Sequence, residues 1–201
     1  MKKALIILLY LWIGSPLSDA LFQRMRGLSF PASGDCRISR SDLRHLHVKY
    51  VDYEGRTCDG EIVCNKAIAD DLLYIFRRLY EARYPIASIR LIDDFGADDE
   101  RSMRANNTSC FCYRAVNGSA SLSRHALGMA IDLNPFENPC VRKRGGRITV
   151  QPATAAKHVK RSRTVPHQID RDDLAYKLFT ERGFRWGGDW RSVKDYQHFE
   201  K

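Results

Sequence analysis

The segment Ser123–Asp132 constrains the fold of this chain more than any other part of the sequence. It carries two potential metal ligands, His125 and Asp132, and His198 near the C-terminus offers a second imidazole. Ligands of one metal ion each lie about 2 Å from it. In a helix, His125 and Asp132 would lie about 10 Å apart along the axis, and in an extended strand roughly 23 Å apart. The chain must therefore bend between them, and Gly128 is the residue that permits the bend.

The residues around Asp132 predict how its carboxylate is presented. Ala130-Ile131-Asp132-Leu133 is a short, mainly apolar run that is typical of a buried strand. The Asn134-Pro135 pair that follows is a turn signal. We therefore expect a short strand to deliver Asp132 and a turn to follow it.

The segment Asp195-Tyr196-Gln197-His198 adds a second carboxylate three residues before the last candidate ligand. Two imidazoles and one carboxylate leave an open position for water on a four-coordinate zinc ion, and a nearby carboxylate can take the proton of that water. These are the groups that a hydrolytic zinc site requires. The sequence therefore predicts His125, Asp132 and His198 as zinc ligands and Asp195 as a base that does not bind the metal.

These motifs together resemble those of the zinc D-alanyl-D-alanine carboxypeptidases and L-alanyl-D-glutamate peptidases, which cut peptidoglycan stem peptides. The resemblance rests on the S-x-H-x-x-G-x-A-x-D pattern, the Asn-Pro turn and the distant D-x-x-H, and it runs from about residue 45 to the end. Further blocks that look like the family's are Ser102-Met103, Asn106-Asn107-Thr108-Ser109, Tyr113-Arg114, Asn138-Pro139 and Trp186-Gly187-Gly188-Asp189-Trp190.

The resemblance implies a role for each matching residue. The three predicted ligands would hold Zn²⁺, and Asp195 would be the general base and acid. Arg114 would bind the substrate carbonyl or stabilise the oxyanion, and Ser123 would help to hold the substrate near the metal. The family therefore implies a zinc-dependent metallopeptidase with a peptidoglycan peptide as substrate, most simply a D-alanyl-D-alanine carboxypeptidase.

Three alternatives stay open at the level of sequence. The first is a lytic L-alanyl-D-glutamate endopeptidase, because the choice depends on whether the cleft is closed beyond the scissile bond. The second is a non-catalytic, zinc-stabilised wall-binding module, although such a module has no need of Asp195 and Arg114. The third is a basic nuclease, against which the Ser-x-His-x-x-Gly block argues, so that no nucleic-acid partner is expected.

The mixed order of strand and helix patterns predicts a single α+β domain over residues 45–201, with a small, mainly antiparallel sheet and packed helices. The resemblance implies a fold like that of the hedgehog domains and D,D-peptidases. Helices are predicted over residues 66–83, capped by Asn65, and over residues 170–183, capped by Asp170. His45 and His47 flank or lie in a predicted strand over residues 46–51, and we interpret them as structural residues rather than ligands.

Residues 1–20 have the basic start, apolar run and small residues of a cleavable signal peptide. Residues 21–44 are then an irregular N-terminal lead-in tied down by Cys36. We expect a periplasmic or secreted protein, with no membrane span after cleavage, that acts as a monomer. A net charge of +9 suits an anionic polymer such as a cell wall.

An exported chain gives its six cysteines a specific meaning. An even number in an oxidising compartment predicts disulfides, with the pairing left open, and the His/Asp set leaves the cysteines no role on the metal. The basic segment 141–168 has little apolar periodicity, and it is predicted to be a solvated loop or a flank that binds the wall or the substrate.

Overall fold

The computed structural model describes residues 12–34, 36–116, 120–162 and 165–201. The strands are β1 (Ile13–Pro16), β2 (Leu43–Val51), β3 (Thr57–Asn65), β4 (Ser88–Ile89), β5 (Asn107–Thr108), β6 (Ala130–Asp132), β7 (Cys140–Arg144), β8 (Arg147–Gln151), β9 (Arg185–Trp186), β10 (Val193–Asp195) and β11 (His198–Glu200). The α-helices of these residues are α1 (Asp19–Met25), α2 (Ala69–Glu81), α3 (Asp99–Arg104) and α4 (Leu174–Glu181).

The strands form several small sheets rather than one. Antiparallel sheets have the orders β1-β2-β3, β10-β7-β8 and β6-β11-β9, and β4 pairs with β5 in parallel. The predicted α+β class with mainly antiparallel pairing is confirmed, and the strands are divided among several small sheets. Strands β6, β9 and β11 have only two or three residues. Strands this short form few hydrogen bonds with their neighbours, so they build separate small sheets instead of one continuous sheet.

Helix α2 packs its apolar stripe against β2 and forms the main core. Leu72, Phe76 and Leu79 recur at helical spacing and are fully buried, as the sequence predicts. The helix begins at residue 69 rather than 66, because the side chain of Asn65 accepts a hydrogen bond from the backbone N–H of Ala67 and closes a turn before the helix.

Helix α4 is shorter than predicted. Asp173 caps it by accepting a hydrogen bond from Ala175 N, and Asp170 instead accepts from the N–H groups of the turn that precedes the helix. Gly183 follows the helix at a φ of +81°, as predicted. The ring of Phe179 stacks on Phe199 of β11 with centroids 4.3 Å apart, so this helix ties the C-terminal strand to the core.

The N-terminal region is more ordered than the predicted lead-in. Strand β1 pairs with β2, and α1 buries Met25 in a second apolar cluster with Leu17, Phe30 and Leu43. The helix starts where Ser18 accepts a hydrogen bond from the N–H of Leu21, a cap that the sequence reading overlooked. Residues 1–11 of the predicted signal peptide lie outside the described residues, and cleavage after residue 20 stays a prediction.

The described helices include none that is long and apolar enough to cross a membrane. The basic segment 141–168 is a hairpin followed by a short 3₁₀ helix, so the predicted solvated loop is wrong for its first half. Gly145 and Gly146 form the two-residue turn at φ values of +54° and +78°, and this Gly-Gly pair was a usable hairpin signal.

The predicted disulfides are not formed. All six cysteines lie among the described residues and all have free thiols. Their surroundings differ: Cys110 Sγ lies 3.6 Å from the carbonyl oxygen of Gly128, whereas Cys58 Sγ lies 3.7 Å from the carboxylate of Asp52. Burial raises the pKa of the Cys112 thiol to about 12, which disfavours the thiolate needed for exchange.

Candidate metal centre and catalytic cleft

Two adjacent strands and one turn bring the three predicted ligands together. Strand β11 pairs with β6 in a register that sets His198 directly opposite Asp132. His125 lies in the 3₁₀ turn Arg124–Leu127, which ends at Gly128 with a φ of +64°. The predicted bend is therefore present at the predicted glycine. A Cβ atom on Gly128 would lie 2.6 Å from the backbone nitrogen of Asn65, so the turn also needs a residue without a side chain.

The candidate ligand atoms form a compact triangle. His125 Nε2 lies 3.2 Å from His198 Nδ1 and 3.3 Å from Asp132 Oδ1, and His198 Nδ1 lies 3.0 Å from the same carboxylate oxygen. A tetrahedral zinc ion with bonds of about 2.0–2.1 Å separates neighbouring ligand atoms by about 3.3 Å. The three side chains therefore fit a zinc ion in both donor type and spacing.

Each imidazole is oriented through its other ring nitrogen. His125 Nδ1 lies 2.6 Å from the carbonyl oxygen of Cys110, and His198 Nε2 lies 3.3 Å from the carboxylate of Glu200. Such partners fix the ring orientation and the tautomer of metal-binding histidines. They leave His125 Nε2 and His198 Nδ1, the two atoms of the triangle, directed at a shared point.

The electrostatics of the triangle favour a charged carboxylate. Burial opposes ionisation of Asp132, but the charges and hydrogen bonds of His125 and His198 outweigh burial and hold the pKa of Asp132 well below its usual value. Burial likewise opposes protonation of His198, and its hydrogen bonds to Asp132 and Glu200 reverse this and raise the pKa of His198 to about 10. A cation bound here would take the place of the His198 proton, because a metal-binding imidazole must be neutral.

Asp195 lines the same cleft as the three ligands. Its carboxylate accepts a hydrogen bond from Gln197 Nε2 at 3.3 Å. Burial raises the pKa of Asp195 above its usual value, and the neighbouring His198 only partly opposes this. A raised carboxyl pKa suits a group that accepts and then returns a proton. The backbone at Gly187 packs closely against Asp195, because a Cβ on Gly187 would lie 2.6 Å from the backbone oxygen of Asp195.

Arg114 also lines the cleft, where it forms an ion pair with Asp99 at the start of α3. Burial raises the pKa of Asp99, and the adjacent guanidinium opposes that rise. Ser123 has a partner of its own, since its hydroxyl accepts a hydrogen bond from the backbone N–H of His125 at 3.2 Å. The structure thus brings all the predicted site residues together, and it gives Ser123 a part in holding the His125 turn.

Sequence reasoning missed several residues of this cleft, among them Asp99, Glu200 and Arg142. Asp99 lies in an acidic run that reads as a solvated loop, and only the tertiary fold brings it to Arg114. The signal for Glu200 was available, because residues two apart on a strand share a face and Glu200 follows His198 by two. Arg142 belongs to the hairpin that was predicted as a loop.

The site contains three converging candidate metal ligands, a buried carboxylate and an arginine in one cleft, which are the groups that metal-assisted hydrolysis requires. Residues 117–201 match the family model described as D-alanyl-D-alanine carboxypeptidase. This match confirms the resemblance that the motifs indicate, and it includes all three candidate ligands and Asp195. The region 117–201 thus relates the chain to the zinc peptidases of that family. No solved structure matches the chain.

Proposed function

We propose that this protein is an exported, zinc-dependent D-alanyl-D-alanine carboxypeptidase that hydrolyses peptidoglycan stem peptides. The observation that carries the proposal is the triangle of His125 Nε2, Asp132 Oδ1 and His198 Nδ1, with sides of 3.0–3.3 Å, in a cleft that Asp195 also lines. The family match over residues 117–201 supports the peptide substrate.

The chain's own groups account for the proton transfers and for the charge that develops in hydrolysis. Zinc, when bound, polarises the scissile carbonyl and acidifies water. Asp195 takes the proton of the attacking water and then returns it to the leaving amine. Arg114 offsets the charge that grows on the carbonyl oxygen, and its ion pair with Asp99 holds the guanidinium in place.

The choice of carboxypeptidase over endopeptidase rests on Arg142. Arg142 lies on β7 and lines the cleft. Strand β7 pairs with β10, which carries Asp195. Its Nε is buried and has no hydrogen-bond partner among the described residues. A buried, unpaired guanidinium N–H favours an anionic ligand, and a terminal carboxylate is the anion that a carboxypeptidase must recognise.

Incubation of the zinc-loaded protein with stem pentapeptide, followed by mass spectrometry, tests the proposal. Loss of a single terminal D-alanine is the expected result. Cleavage between L-alanine and D-glutamate would instead identify the lytic endopeptidase. His125→Ala is expected to lose both zinc and activity, and a variant that kept its zinc would contradict the ligand assignment. Absence of any cleavage by the zinc-loaded chain would favour the non-catalytic module.

Export is proposed from the N-terminal sequence alone, and its test is the N-terminus of the protein recovered outside the cytoplasm. We expect the first residue to be Leu21. Such cleavage removes β1, leaves β2 as an edge strand and cuts α1 after its second residue, with loss of the Ser18 cap. Recovery of protein that still begins at Met1, or that stays in the cytoplasm, would contradict the proposal.

A further inference from the structure

A second group of metal-binding side chains lies outside the catalytic cleft, on the sheet formed by β1, β2 and β3. His45 and His47 project from the same face of β2, because residues two apart on a strand share a face. Glu61 on β3 is the direct cross-strand partner of His47. None of the three lines the catalytic cleft.

The three side chains converge. His45 Nε2 lies 3.0 Å from Glu61 Oε1, and the rings of His45 and His47 have centroids 4.3 Å apart. The potential ligand atoms of the three residues all lie within 4.8 Å of one another. A hydrogen-bonded histidine–glutamate pair needs only one imidazole. Here the imidazole of His47 also approaches the His45–Glu61 pair.

The surroundings suit a bound cation with water access. On one side, the neighbouring Leu43 and Val63 belong to the second apolar cluster, and the His45 side chain is only 12% exposed. On the other side the Glu61 side chain is 45% exposed, so solvent reaches the group. The next cation along the strand, Lys49, forms its ion pair with Asp59 at 2.6 Å rather than with Glu61.

We propose that His45, His47 and Glu61 bind a second divalent transition-metal ion, such as Zn²⁺, which joins β2 to β3. Two imidazoles and one carboxylate form a ligand set that zinc accepts, with a water molecule as fourth ligand. Because the three residues lie outside the catalytic cleft, this ion would stabilise the sheet and take no part in catalysis. This proposal replaces the interpretation made from the sequence, in which His45 and His47 are structural residues rather than ligands.

The test is the number of zinc ions per chain, measured by elemental mass spectrometry on metal-free protein that has been reloaded and passed through gel filtration. We expect two ions in the wild-type chain, one in His47→Ala and one in His125→Ala, and none in the double variant. His47→Ala changes an exposed side chain and should keep the wild-type circular dichroism and peptidase activity. Glu61→Gln, which preserves side-chain volume, should also retain one ion.

Lys49→Ala is the matched control, because it removes a charged, 20% exposed side chain from the same strand face and should retain both ions. A wild-type chain with a single ion that His125→Ala abolishes would overturn the second site. Two ions in His47→Ala and in Glu61→Gln would overturn it as well. An ion that persists in His125→Ala and disappears in His47→Ala supports the site whether or not the protein cleaves stem peptides.

Discussion

Two carboxylates, Asp195 and Glu200, lie on either side of His198 in the sequence and differ in what they touch. Glu200 contacts His198 Nε2 and so orients a ligand ring. Asp195 accepts its hydrogen bond from Gln197 and lines the cleft without a hydrogen bond to either ligand imidazole among the described contacts. Asp195 is therefore the carboxylate that we propose as the group that exchanges a proton with water and the leaving amine.

Replacement of Asp195 by alanine should leave zinc bound and remove most of the turnover. General acid–base catalysis contributes about 10²–10⁴-fold, and kcat should fall by that order. Zinc content and kcat on stem pentapeptide are the measurements. Asp189→Ala is the control, since that carboxylate pairs with Arg171 at 2.8 Å and should be dispensable for both. Loss of zinc in Asp195→Ala would make it a ligand or a ligand support, and full activity would rule out its role as base.

Arg142 should act on substrate binding rather than on turnover. Hydrogen bonds to charged groups contribute about 1.5–3 kcal/mol, so Arg142→Ala should raise KM on the order of 10–100-fold with a smaller effect on kcat. Arg144→Ala removes an exposed arginine from the same strand and should leave KM unchanged. Equal KM values for the two variants would show that Arg142 does not bind the terminal carboxylate of the substrate. Any rise in KM would then come from the loss of positive charge in general.

At the scale of elements, the site depends on the tight passage of the 3₁₀ turn past the end of β3. The backbone N–H of Asn65 donates a hydrogen bond to Gly128 O at 2.9 Å, and Asn65 Nδ2 donates to Leu127 O at 3.0 Å. These contacts fix the turn that carries His125 against the central sheet. Asn65, predicted only as a helix cap, therefore also positions the metal-binding turn.

Gly128→Ala should destabilise the protein more than an alanine at another glycine with positive φ. The left-handed backbone costs a residue with a Cβ about 1–2 kcal/mol, and the contact with Asn65 N adds an overpacking cost of about 1–3 kcal/mol. Gly145→Ala is the control, because its φ is +54° but nothing lies within 4 Å of the new Cβ. Urea unfolding of both variants measures the difference, and equal losses would mean that the turn relaxes away from β3.

The elements show which parts of a sequence reveal structure by themselves. The stripe of α2 and the strand that carries Asp132 were predictable, because burial imposes a period on the residues of the element itself. The starts of α2 and α4 were not, since Asn65 and Asp170 both close turns just before the helices. A side-chain acceptor near a helix start fits either role, and only the backbone path separates them.

At the scale of the whole molecule, the candidate ligands were predictable because their donor types stand in motifs that resemble those of the zinc peptidases, and motifs can be recognised before any fold is known. The groups that hold the site residues in place were not predictable. Asp99 reaches Arg114, and Cys110 contributes its carbonyl oxygen to His125, through contacts that depend on how distant segments pack. The same holds for the sheets, whose separation follows from strands too short to be continuous.

The metal triangle joins segments that are far apart in sequence, so zinc at this site should stabilise the entire fold. A ligand at 100 times its Kd that binds only the folded state contributes about 2.7 kcal/mol. For a chain of 201 residues this corresponds to a rise in Tm of about 5–11 °C. The measurement is thermal unfolding with and without zinc in the His47→Ala background, which removes the proposed second site. Adding His125→Ala to that background should abolish the rise, and a rise of equal size in both proteins would show that zinc stabilises the chain from somewhere other than the triangle.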